Sequence, residues 1–152
     1  MNNSSAPQNL AILSIGSLSL AIPQTDIVSV DVVADVKPND TDNTLVAASL
    51  HRQDGQWPVY AFSDTLKPMP NLAESCRFCV CIKRDDIFYA LACDSVGVSL
   101  LDSDTPTEEI PEMMKSETTP VVKLMHYQQD IALIVDAFSM NHYLETLGAR
   151  DV

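Results

Sequence analysis

The sequence predicts a mainly β fold, a closed barrel or a pair of barrels, finished by one C-terminal helix. Three observations lead there. About nine short runs show period-two alternation or are rich in β-branched and aromatic residues, with turn signals between them. No strand–helix–strand alternation appears, which disfavours an α/β sheet. Only one stretch, near the end, has helical spacing.

Residues 1–9 are polar, with Ser4, Ser5 and Pro7, and are expected to form a loose tail. From Leu10 the pattern alternates, and two strands joined near Gly16-Ser17 carry the chain to Pro23, which ends the second or lies on an edge. Ile27 to Val33 is β-branched and forms a third strand. Ala34 to Thr44 is a loop with Pro, Asn and Asp. Its Asp40-x-Asp42-x-Thr44 spacing resembles a calcium loop, but the turn glycine is missing and His51 stands where the late Glu belongs. Leu45 to Leu50 and Trp57 to Phe62 are strands joined across Asp54-Gly55, a hairpin signal because glycine takes positive φ without steric cost. Ser63 to Ser75, with Pro68 and Pro70, is a surface connection. Arg77 to Lys83 and Ile87 to Cys93 form a hairpin, and Val96 to Leu101 continues as strand. Thr105-Pro106-Thr107-Glu108 matches a capping box with Pro at the first helical position, so a turn of helix is expected before Pro111 stops it. Thr119 to Met125 and Ile131 to Val135 are a further strand pair. Ser139 to Leu147 has apolar residues at 140, 143, 144 and 147, which predicts a helix with Gly148 as its C-cap and 149–152 as a tail. Residues 10–148 fit one domain of ordinary size, or two small lobes sharing one core.

Composition narrows the function. There are 152 residues, 46% of them hydrophobic, enough for a packed interior. Asp and Glu number 21 against 9 Lys and Arg, for a net charge of −12. That surface repels phosphate backbones and anionic headgroups, so nucleic-acid and membrane-surface binding are not expected. The most apolar stretch, Leu10 to Pro23, is broken by serines and too short to span a bilayer. No Lys or Arg precedes Lys37, as a secretion signal would require. A cytoplasmic chain with reduced cysteines is expected. The four glycines are not clustered, against a phosphate-cradling loop.

The sharpest chemical cluster is Cys76-x-x-Cys79-x-Cys81, with Cys93 beyond it. Four thiolates can hold zinc. Yet Cys79 and Cys81 share one face of an apolar strand with no Gly or Pro between them, and free Cys packs as a small hydrophobe. Core packing is therefore preferred to a zinc-stapled module, or to an enzyme pairing Cys with His51, His126 or His142. Those histidines lie in no recognised metal or nucleophile motif, and the carboxylates gather at turns. No catalytic residue, metal or cofactor site is expected, nor a small-molecule substrate. Tyr60, Phe62, Phe78, Phe88 and Tyr89 fall in strands and are expected to pack the core.

The order of segments resembles the CheW-like family. Leu13-Ser14-Ile15-Gly16, Leu20-Ala21-Ile22-Pro23 and Ile27-Val28-Ser29-Val30 are similar to the family's opening F-x-L-G…Y-A-I-P…V…E-V. Leu50-His51-Arg52, Gly55 and Pro58-Val59 resemble its N-L-R-G…P-V-x-D-L. Ala90 to Val96 resembles G-L-L-V-D-x-V, and Ile131 to Asp136 resembles the closing I-L-L-L-D strand, with Ile110-Pro111 where the family is Pro-rich. Two residues separate Arg52 from Gly55 where the family has them adjacent, and Ala61 stands where the family often has Asp. The resemblance covers about Leu10 to Leu147. It implies two five-stranded SH3-like barrels packed together, and a non-catalytic adaptor that couples the regulatory domain of a histidine kinase to the cytoplasmic tips of chemoreceptors.

The expected protein interface is the turn carrying Leu50, Arg52, Gly55 and Trp57. Arg52 is one of few cations in an acidic chain, and arginine is enriched where interfaces concentrate their binding energy. Two roles are open for it: an outward anchor for a partner, or a structural pin paired with Asp54 or another acid.

Overall fold

The computed structural model describes residues 8–38, 45–101, 105–110 and 119–150. The Asp40–Thr44 calcium-like spacing and Pro111 lie outside them. Among the described residues, thirteen strands form two sheets and one α-helix follows them. The first sheet takes both ends of the chain: β1 (Gln8–Ile15), β2 (Leu18–Pro23), β10 (Ser95–Leu101), β11 (Thr107–Glu108), β12 (Lys123–Tyr127) and β13 (Asp130–Ile134), in the order β10-β1-β2-β13-β12-β11. The second takes the middle: β3 (Ile27–Val32), β4 (Val36–Pro38), β5 (Ala48–Arg52), β6 (Gly55–Phe62), β8 (Phe78–Arg84) and β9 (Ile87–Cys93), in the order β3-β8-β9-β6-β5-β4, with β7 (Pro68–Met69) on β6. Each lobe carries more strands than the expected five, because short strands join its rim. β1 already begins at Gln8, within the stretch expected to be loose.

Alternation along β1 explains the packing. Leu10 and Ile12 face the inside of the first lobe with Ala21, Met125, Ala132 and Ile134. Ala11, Leu13 and Ile15 face the second lobe, meeting Leu20 and Ile22 of β2, Val80 and Ile82 of β8, and Tyr89 and Leu91 of β9. The interior of the second lobe is built mostly from small side chains, Ala48, Ala61, Cys79, Cys81, Ala90 and Ala92, around Leu50, Trp57 and Val59. Helix α1 (Ala137–Arg150) seals the seam with Ala137, Met140, Tyr143 and Leu144.

The helix start is fixed twice. Asp136 Oδ1 accepts the Ser139 N–H at 2.7 Å, and the Asp136 N–H donates to Ser139 Oγ at 3.0 Å. The buried carboxylate of Asp26 accepts the Ala137 N–H at 3.0 Å and pairs with Arg84 at 3.7 Å. Since α1 continues to Arg150, Gly148 lies within it rather than capping it.

The expected helical turn at Thr105 is corrected to strand. Thr107 and Glu108 pair with Met125 and Leu124, and His126 N–H donates to the Pro106 carbonyl at 3.1 Å. Tertiary pairing here outweighs the local capping signal. The Ser63–Ser75 connection is likewise more than surface: it contributes β7, and Leu66 is buried under the Tyr143 hydroxyl, which donates to its carbonyl at 2.6 Å.

Candidate functional site

The hairpin of β5 and β6 pairs Leu50 with Trp57, His51 with Gln56 and Arg52 with Gly55. Gln53 and Asp54 make its tip. Gly55 takes the positive φ, 129°, where an L side chain is strained. Leu50 and Trp57 are each only 2% exposed, so their side chains belong to the interior of the second lobe rather than to its outer surface. Gly55 and the tip are exposed.

Arg52 turns inward and reaches across the mouth of this lobe to β3. One terminal nitrogen donates to Asp31 Oδ2 at 2.9 Å and to the Ser29 hydroxyl, and lies 3.7 Å from Cys81 Sγ. Its Nε stands 3.5 Å from Asp54 Oδ1, outside good hydrogen-bond geometry. The guanidinium lies 5.3 Å from the Trp57 ring centroid, within cation–π range. Trp57 Nε1 donates to Asp54 Oδ1 at 3.0 Å, and this bond, with Arg52 beside it, lowers the Asp54 pKa below the ordinary carboxylate value. The cluster closes the lobe by side chains where β3 and β5 share no backbone ladder.

β3 itself is turned inside out. Ser29 and Asp31 face inward toward Arg52, while Val28, Val30 and Val32 are 48%, 46% and 50% exposed. Register sets Val30 beside the fully buried Val80, so the valine row continues the face of the inter-lobe core. The other outer strand repeats this. On β10, Val98 pairs with the buried Ala11, yet Val98 and Leu100 are 63% and 48% exposed. Sequence reading placed β3 but missed its exposure. The signal was the IVSVDV alternation, which a half-polar strand offers without saying which face is covered.

The cysteines lie inside. Cys79, Cys81 and Cys93 are buried completely and Cys76 nearly so. Burial raises all four thiol pKa values, to about 12 for Cys79 and Cys93. Such thiols stay protonated and unreactive at neutral pH. Among the described residues, no three His, Cys, Asp or Glu side chains are placed to hold a metal ion. The histidines do not gather: His126 is 3.7 Å from Glu108 on the first lobe, while His51 and His142 sit on the hairpin and on α1. Among the strand aromatics, Phe88 departs from the expected core position. It is largely exposed at the lobe mouth, with its ring 5.1 Å from that of Trp57. No described helix is long and apolar enough to cross a membrane.

No protein-family model matches the chain, and no curated protein matches it in sequence. Its fold does have solved counterparts. The scaffolding protein TtCheW from Thermoanaerobacter tengcongensis aligns over 86% of this chain and 89% of its own, with a TM-score of 0.66 at 16% identity. Two barrel-like sheets sharing one core, sealed by a C-terminal helix, give this chain the CheW-like fold.

Proposed function

We propose that the chain is a divergent CheW-like adaptor: a non-catalytic, cytoplasmic scaffold that couples a histidine kinase's regulatory domain to chemoreceptor tips through protein contacts. The exposed valine row of β3 carries this reading. Three neighbouring valines on an outer strand, unbroken by charge on that face, form the kind of apolar surface that marks a protein partner site. In a chain with a net charge of −12, such a row is costly to leave in water unless something covers it. Val98 and Leu100, on the outer strand of the other lobe, are exposed in the same way.

The 50–57 hairpin is the second part of the proposal. Arg52 holds β3 from behind, so partner contact at the hairpin falls on Gly55, the tip and the exposed fraction of Arg52. Leu50 and Trp57 support them from inside. Buried, protonated thiols leave the rival reading, a Cys/His-dependent enzyme, without a nucleophile.

The test compares wild-type chain with Val30→Asp and Val98→Asp in pull-downs of purified kinase regulatory domain and of a receptor-tip fragment. Loss of one or both partners with an unchanged melting curve is expected. Full retention by both variants rejects the valine rows as the contact surface.

A further inference from the structure

A second candidate site lies away from the hairpin, where the two lobes meet at the β1–β2 turn. It is a cleft of about 370 Å³. Ile15 of β1, Phe62 of β6, and Met69 and Leu72 from the connection after β6 supply its apolar lining. Met69 is 41% exposed, and methionine adapts its shape to whatever packs against it. The volume falls in the range of sites that enclose a small ligand or a long side chain, about 300–1,000 Å³.

The rim carries two carboxylates, Asp64 and Asp94, both close to Gly16. The Gly16 N–H donates to Asp94 Oδ2 at 2.9 Å, and a Cβ on Gly16 would stand 3.5 Å from the Cβ of Asp64. Among the described residues, every donor to these acids is neutral. Asp94 Oδ1 accepts the Ser75 hydroxyl at 2.9 Å, and Asp64 Oδ2 accepts the Ser17 hydroxyl at 3.1 Å. Among the described residues, no Lys, Arg or His pairs with either one. Two carboxylates beside one glycine, with no countercharge among the described residues, focus negative potential at the edge of an apolar cavity. Each keeps lone pairs for a charge-assisted bond.

We propose that this cleft binds an apolar chain ending in a cationic head, an ammonium or guanidinium. The apolar part lies against Phe62, Met69 and Leu72, and the head lies between Asp64 and Asp94. The Lys or Arg side chain of a partner protein and a free alkylamine share this chemistry. The inference does not depend on the adaptor reading, since the valine rows belong to other strands.

Two probes separate the sources: n-hexylammonium, and the capped dipeptide acetyl-Leu-Arg-amide. Each is titrated into the full chain while methyl NMR signals are followed, with hexanoate as the control of opposite charge. Saturable shifts at Ala61, Met69 and Ala73 are expected from at least one cationic probe and none from hexanoate. Asp64→Asn, which keeps an acceptor for Ser17, weakens binding by about tenfold. Ala73→Trp fills the cleft from an exposed position and abolishes binding at an unchanged melting temperature. Tighter binding of the dipeptide assigns the site to a partner's side chain, and tighter binding of hexylammonium assigns it to a free amine. Equal shifts with hexanoate, undiminished binding in Asp64→Asn, or no saturable binding of either cation overturns the proposal.

Discussion

Arg52→Ala separates a structural pin from a surface anchor. In the fold Arg52 is mostly buried and makes several contacts at once: ion pairs to Asp31 and Asp54, a hydrogen bond to Ser29, and its place over Trp57. The partly exposed ion pair to Asp31 contributes up to about 1 kcal/mol. The cation–π contact adds about 0.5–1 kcal/mol, and the hydroxyl bond about 1 kcal/mol. These contributions overlap, because one guanidinium makes them all, so the loss is set at about 2–3 kcal/mol. For a chain of this size that lowers the melting temperature by about 5–10 °C. The assay is a thermal and urea melt of Arg52→Ala, Asp31→Ala and the double variant. The two residues touch, so their effects should fail to add by about 1 kcal/mol. A single variant that melts within a degree of wild type, with additive effects, would refute the pin and return Arg52 to the surface.

Four other outcomes follow from the same geometry. Asp26→Ala leaves the buried Ala137 N–H without an acceptor and should cost about 1–3 kcal/mol in a urea melt, with early loss of helix signal. Replacing Gln128-Gln129 by Asn-Gly should raise the melting temperature, because both residues hold positive φ, 49° and 66°, in a two-residue hairpin turn that favours that pair. The thiols predict weakening in alkali. Their folded pKa lies above the ordinary value of 9.0, so above pH 9 the unfolded chain loses protons that the folded chain keeps, and stability falls as pH rises toward 12. The slope is up to about 1.4 kcal/mol per pH unit for each thiol, and stability that stays flat from pH 9 to 11 contradicts their burial. The folded chain should also leave all four cysteines unreactive toward a thiol reagent until denaturant is added.

The longer strands were legible because each face of β1, β2, β8 and β9 meets a different environment, and their runs carry that alternation. The short rim strands were not. β4, β7 and β11 are two or three residues long and exist through their partners, so Val36 pairs with Leu50 and Thr107 with Met125 across long stretches of chain. The helix was found from four apolar positions, but its first turn depends on Asp26, 111 residues earlier in the chain. At the candidate site, Arg52 was legible as an isolated cation beside a turn, and the pairing with Asp31 was not, because β3 and β5 meet only through the closure of the lobe. Leu50 and Trp57 misled for the same reason. Both flank a turn, yet both point into a lobe whose other walls are mostly alanine and cysteine, with Val59.

The adaptor role proposed for this CheW-like fold requires two protein partners. Its most direct test is the binding of the immobilised chain to a histidine kinase regulatory domain and to a chemoreceptor tip, each alone and then both together. Saturable binding of each and a complex of all three are expected. Binding of neither at concentrations well above those of weak signalling complexes, about 100 μM, contradicts that role.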